Sequence, residues 1–145
     1  MRETVRAVIV DKNHRTFLVQ HRERNSCDLG KWGNPGGGID KSDLDHIQAL
    51  SRELSEEFGA EIIGQIEIGP KLHVNHRPDR TDHFYFVRFF GSSISPQVPD
   101  EITSFGWFTL EEAAGLRLFF GFEAEIAAEA VRVRSNSGGY SRMLY

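Results

Sequence analysis

Strand-like and helix-like stretches of apolar and polar residues interleave along this chain. Val5 to Val10 is apolar and β-branched, Asp11-Lys12-Asn13-His14 is a polar turn, and Thr16 to Gln20 resumes the strand pattern. Together they predict a β-hairpin. Asn25 to Gly30 reads as polar loop, and Lys31-Trp32-Gly33-Asn34 leads into Pro35-Gly36-Gly37-Gly38. From Leu44 to Phe58 the apolar residues recur at Ile47, Leu50, Leu54 and Phe58, which is one stripe of a helix. Asp43 or Ser42 suits its N-cap, and Gly59 suits the stop just past its end. Ile62 to Ile68, Leu72 to His76 and His83 to Phe90 read as strands, with a polar loop from Asn75 to Thr81 around Pro78. Gly106 to Thr109 reads as a short last strand and Leu110 to Leu116 as a helical turn. Phe122 to Arg134 reads as a second helix, with Ile126, Ala130 and Val133 on one face. Mixed strands with two helices predict an α/β/α sandwich built on a mixed sheet. The expectation is one domain over residues 1–134, followed by a flexible tail from Ser135 to Tyr145 that contains Ser-Asn-Ser-Gly-Gly.

Composition narrows the class. A chain of 145 residues supports one real core and is short for two. Hydrophobic residues make up 39% and charged residues 26%, which excludes a disordered or membrane-embedded chain. The apolar runs are strand-length, and Arg2, Glu3 and Arg6 leave no apolar core for a signal peptide near Met1. Cys27 is the single cysteine, so no internal disulfide forms. The expected setting is therefore cytoplasmic, with no membrane partner. A net charge of −4 argues against bulk nucleic-acid binding, yet leaves room for a nucleotide held by a few local cations.

The chemistry concentrates in Arg52-Glu53-Leu54-Ser55-Glu56-Glu57-Phe58-Gly59. At i, i+3 and i+4 on the helix, Glu53, Glu56 and Glu57 project from one side, beside the apolar stripe. Such a cluster repels itself, and a hard divalent cation that takes oxygen ligands relieves the repulsion. With a glycine-rich run upstream, the pattern points to metal-dependent phosphate chemistry.

Residues Gly37 to Gly59 resemble the Nudix box of the MutT-type pyrophosphohydrolases. The half from Arg52 to Gly59 matches residue by residue. The first glutamate of that signature falls on Asp43, with one extra residue before Arg52, and Ala60 stands at the final aliphatic position. Trp107 to Glu112 resembles the late strand and helical turn of the family. The resemblance implies that Glu56, Glu57 and the Gly36 carbonyl hold Mg²⁺, or Mn²⁺ in its place. It implies that Glu53 ligates metal or orients water while Arg52 holds Glu53. Gly37 and Gly38 would let substrate approach the backbone. The resemblance also implies a small-molecule nucleotide substrate of the nucleoside diphosphate-X type. A (d)NTP giving a nucleoside monophosphate and pyrophosphate is the first expectation. Homodimers are common in the family.

Further residues join the site by position. Glu101 precedes Trp107 in a loop from which the family often supplies a carboxylate, making it a general-base candidate with Asp100 as its neighbour. Arg22 follows a strand where MutT-type enzymes often carry a phosphate-binding arginine; Lys31 is a weaker case. His73, His76 and His83 flank a loop with Arg77 and Arg80 that could touch phosphate or base, but their spacing matches no metal motif. Trp32, Phe119, Phe120 and Phe122 fit core packing better than base stacking. Asn75, His76 and Arg77, with Pro78 late, carry neither the proline nor the tyrosine signal of the ADP-ribose and dinucleoside-polyphosphate subclasses. Two rivals share the fold: a nucleotide-binding module without turnover, and a diphosphate isomerase. The complete glutamate set speaks against the first. The place of Cys27, ahead of the glycine run, speaks against the second.

Overall fold

The structure, a computed structural model, describes residues 2–22 and 26–144, apart from the side chains of residues 26 and 137–144. Strand β1 (Arg2–Val10) is central because its β-branched residues are apolar on both faces. Val5, Ala7 and Ile9 enter one core, and Val8 and Val10 enter the other. Beside it run β2 (Thr16–His21), the short β3 (Gly36–Gly38), β4 (Ile66–Arg77), β5 (Arg80–Phe89) and β6 (Ile102–Phe108). The sheet order is β4-β5-β1-β2-β6, with β3 paired to β1. The β1–β5 pair is parallel and the others are antiparallel, so the sheet is mixed.

One gap in this sheet creates the site. The hairpin pairs β1 with β2 only where Val10 meets Thr16, and the two strands then part. The glycine-rich segment fills the wedge. Gly33 bridges to Val19 on β2, while Gly36, Gly37 and Gly38 pair with Arg6, Val5 and Thr4 on β1. Gly36 has φ +148°, and a Cβ there would stand 2.9 Å from the Arg6 Cα and overlap the Val5 carbonyl. Only glycine fits that approach.

Helix α1 (His46–Phe58) lies on one face of the sheet and buries Ala49, Leu50, Leu54 and Phe58 against Val5, Phe17, Tyr85 and Val87. A fully buried leucine such as Leu54 contributes roughly 1.5–3 kcal/mol. The short α2 (Leu110–Ala114) is closed by a Thr109/Glu112 capping box. On the other face α3 (Glu123–Leu144) packs Ile126 and Ala130 onto Val8, Val10, Phe84 and Phe86. The result is the expected α/β/α sandwich.

Several boundaries differ from the sequence reading. Helix α1 begins at His46, and its N-cap is Asp45, whose side chain accepts the Gln48 N–H; neither Asp43 nor Ser42 caps it. Gly59, at φ +94°, ends it as expected. Ile47 is exposed and Ala49 is buried in its stead. Residues Ala60–Gln65 form 3₁₀ turns where a strand was expected, and β4 is continuous from Ile66 to Arg77 across Gly69 and Pro70. Register shifts between Ile68 and His73 absorb that glycine-proline pair. Helix α3 runs past Arg134 to Leu144, so the segment expected as a tail is helical in its backbone, while Tyr145 lies outside the described residues.

The turn between β4 and β5 is held by a buried acid. Asp82 is fully buried, accepting 2.9 and 3.1 Å bonds from Arg77 and a 2.7 Å bond from the Thr4 hydroxyl. Burial alone would raise its pKa, but the Arg77 and Thr4 hydrogen bonds outweigh that and hold the carboxyl below its ordinary value. The stability this supplies is present above the unfolded value of about 3.9 and is lost as pH falls through the lower folded-state pKa. Asp82→Asn should therefore cost about 2–3 kcal/mol at neutral pH. In chemical denaturation across pH, the gap from wild type should close below about pH 4; a gap independent of pH would contradict the assignment.

Candidate active site

Helix α1 brings its three glutamates to the glycine wedge in unequal environments. Glu56 is exposed, with its side chain 59% accessible. Glu53 is mostly covered, and Gly37 lies flat against it: a Cβ on Gly37 would overlap the Glu53 carboxylate, with Cδ 2.6 Å away. Glu57 is buried among the core residues of the helix. It therefore stands on the apolar face, not beside it as expected from the sequence. Its Oε2 is 3.3 Å from His21 Nε2, and its Oε1 has no hydrogen-bond partner among the described residues. A buried carboxylate oxygen without a partner is costly in an apoprotein, and a cation would satisfy it.

Burial raises the Glu53 pKa, the Arg52 hydrogen bond opposes it, and the nearby Glu57 and Glu56 charges add to the rise. Arg52 organises the whole corner. Its Nε and Nη2 donate to Asp43 at 3.0 and 2.9 Å. Nη2 also donates to the Gly38 carbonyl at 3.0 Å, and Nη1 donates to Glu53 at 3.1 Å and Glu56 at 3.2 Å. The bond to Asp43 is the largest cause of an upward shift in the Arg52 pKa, and Asp43 is held below its usual range in return. Asp43, on which the first glutamate of the signature falls, pairs with Arg52, whereas the next residue, Leu44, is 87% exposed.

A cavity of about 580 Å³ opens beside this corner. Gly36 lies on its wall, and Arg2, Arg6, Arg22, Lys31 and Arg80 supply positive charge. His21 belongs to the same wall and touches Glu57, so the cavity and the carboxylates are contiguous. The aromatic wall is Phe119 and Phe120. Phe120 is already engaged by Phe122, stacked at 5.2 Å, and by Arg77, 4.9 Å over its ring. Burial lowers the Arg6 pKa, while Asp82 and Glu57 oppose the change. The chain is acidic overall, yet this cavity is basic, a local field suited to a compact polyanion.

The structure gathers Arg52, Glu53, Glu56, Glu57 and the Gly36–Gly38 loop at one corner and puts Arg22 in the adjoining cavity. Glu101 arrives by its backbone. Its carbonyl accepts the Arg22 N–H at 2.7 Å, and its neighbour Ile102 pairs with His21. The Glu101 side chain is exposed and makes no side-chain hydrogen bond among the described residues. Lys31 is in the cavity, but Trp32 packs on Phe108 and Phe122 joins the core beneath α3, as core aromatics do. Arg80, one of the loop residues expected to touch phosphate or base, lines the cavity, whereas the sequence pattern did not join Arg2 and Arg6 to the site. The signal is the strand register that sets Arg2 opposite Arg80, which no local pattern shows.

The NUDIX domain family matches residues 1–129. Solved structures agree. A MutT NUDIX hydrolase from Burkholderia pseudomallei is 26% identical, with TM-score 0.60 over 77% of this chain and 84% of that one. An ADP-ribose pyrophosphatase from Streptococcus suis is 24% identical, with TM-score 0.65 over 92% and 91%. A NUDIX-family hydrolase from Clostridium perfringens is 20% identical, with TM-score 0.72 over 91% and 97%. No curated protein matches the sequence at a significant level. The chain belongs to the Nudix family of hydrolases.

Because Arg52 joins loop and helix through a planar fork, lysine cannot replace it. Arg52→Lys should speed amide hydrogen exchange across Gly38 to Asp45 while leaving the β1–β5 pair protected. Unchanged exchange in that loop would refute the clamp.

Proposed function

We propose that this protein is a Mg²⁺-dependent hydrolase of a phosphoanhydride bond in a nucleoside diphosphate-X substrate, most simply a (d)NTP yielding a nucleoside monophosphate and pyrophosphate. The observation that carries this reading is the partnerless, buried Oε1 of Glu57 at a corner shared with Glu53, a glycine loop and a basic cavity. Relatives in structure have been named for ADP-ribose and for Ap4A, so the substrate class is wide. The (d)NTP choice rests on the density of cations in the cavity and on the absence of either subclass signal after the box.

Glu56, Glu57 and the Gly36 carbonyl would hold the divalent ion. When bound, it neutralises phosphate charge and polarises the bond to be broken. The chain does the rest. Arg22, Lys31, Arg80 and Arg2 bind the phosphate chain and fix its direction in the cavity. Arg52 fixes Glu53 against the glycine loop, where its carboxylate can orient water and accept its proton. Glu101 is the second candidate for that proton, approaching from the loop bonded to Arg22. Phe119 offers the aromatic surface for a base, since Phe120 is occupied by Arg77 and Phe122. The exposed Cys27 does not line the described cavity, which gives the isomerase reading no support.

A panel of nucleotides with Mg²⁺ or Mn²⁺, with products identified by mass, tests the proposal. Turnover of at least one phosphoanhydride is expected, and Glu57→Gln should lower kcat by about 10²-fold or more while the protein stays folded. Arg22→Ala should raise KM with little change in kcat. Glu101→Gln should lower kcat by about 10²-fold if it takes the proton, and an unchanged rate removes it from the mechanism. No turnover across the panel would favour a binding module.

A further inference from the structure

A second cluster of ligand-bearing side chains lies on the α1 face of the sheet, at the opposite end of α1 from Glu56 and Glu57. Glu3 at the start of β1, His46 in the first turn of α1 and His83 on β5 each offer one ligand atom, and these atoms lie within 4.8 Å of one another. We propose that Glu3, His46 and His83 form a site for a borderline-soft divalent transition metal of the Zn²⁺ class, separate from the carboxylates of the hydrolase site.

The donor set is the first argument. Two imidazoles and one carboxylate suit Zn²⁺, whereas the oxygen-only corner at Glu53, Glu56 and Glu57 suits Mg²⁺. His83 Nε2 is 3.0 Å from Glu3 Oε1, close to the roughly 3.3 Å between neighbouring ligands on a tetrahedral ion with 2.0–2.1 Å bonds. Glu3 is half exposed and can adjust to close the remaining distance. His83 is buried, so its ring is held in place beside Glu3 and His46. The His46 and His83 rings lie 4.3 Å apart, too close for both to be protonated comfortably.

A supporting shell is present as well. His46 Nδ1 is 2.8 Å from the Tyr85 hydroxyl. In the tautomer that donates Nδ1–H to Tyr85, Nε2 carries the free lone pair, as an orienting partner of a metal-bound histidine does. The positive end of α1 opposes a cation there, but the Asp45 cap carboxylate stands beside His46 and offsets it. An ion at this point would tie β1, β5 and the start of α1 together. It would brace the helix that carries the hydrolase carboxylates without entering their chemistry.

Calorimetric titration of Zn²⁺ into tag-free protein, with excess Mg²⁺ present throughout, tests this directly. One Mg²⁺-resistant Zn²⁺ site is expected, retained in Glu57→Gln and lost in Glu3→Gln and His46→Gln. Tyr85→Phe should weaken it about 10-fold. The melting temperature should rise with Zn²⁺ in wild type and Glu57→Gln but not in Glu3→Gln, whose exposed position leaves the fold intact. Equal Zn²⁺ binding in wild type and the Glu3 and His46 variants would overturn the proposal. So would loss of the site in Glu57→Gln, or no Zn²⁺ binding in wild type.

Discussion

The geometry of the proposed active corner depends on the Arg52 guanidinium. Five N–H bonds run from one planar group to Asp43, the Gly38 carbonyl, Glu53 and Glu56. They lock a glycine loop, a connecting turn and a helix into one geometry. Without that fork, Glu53 and its neighbours would repel one another, and nothing would hold the loop down against Glu53. The same bonds give the Asp43 carboxylate a partner although one extra residue precedes Arg52 relative to the family signature. A loop can absorb an extra residue, but a guanidinium of this kind needs a carboxylate partner.

The sheet supplies the second constraint. Because β1 and β2 pair only at their turn, a wedge opens that just the glycine segment can fill. That wedge sets Gly37 against Glu53, while Gly36 lines the adjoining cavity. Positive charge gathers in the cavity because β1 and β5 run parallel and in register, which places Arg2 next to Arg80. An acidic protein thus presents a basic pocket, and His21 on its wall touches the Glu57 carboxylate.

What could be read from the sequence was local. The helix stripe, its Gly59 stop, the first hairpin and the box residues all lie within a few turns of chain, and their periodicity or spacing carries them. Nonlocal features stayed hidden. Nothing near Glu57 says that its carboxylate sits among core residues, since that depends on how α1 is rotated against Phe17 and Val87. The break assumed at Gly69-Pro70 failed because a bulged strand at the sheet edge tolerates both residues. His46 and His83 are far apart in sequence and meet only because α1 begins over the strand that carries His83. Arg2 and Arg6 join Arg80 in the cavity by strand register, a quantity that no single segment encodes.

In the proposed reaction, these carboxylates and this cavity direct water onto a phosphoanhydride. Hydrolysis of a (d)NTP in ¹⁸O-labelled water with Mg²⁺, followed by mass analysis of both products, tests it most directly. One ¹⁸O atom per turnover is expected, confined to the nucleoside monophosphate or to pyrophosphate, with no labelled product from Glu57→Gln. Label accumulating equally with Glu57→Gln, or none appearing from any nucleotide diphosphate derivative, would contradict it.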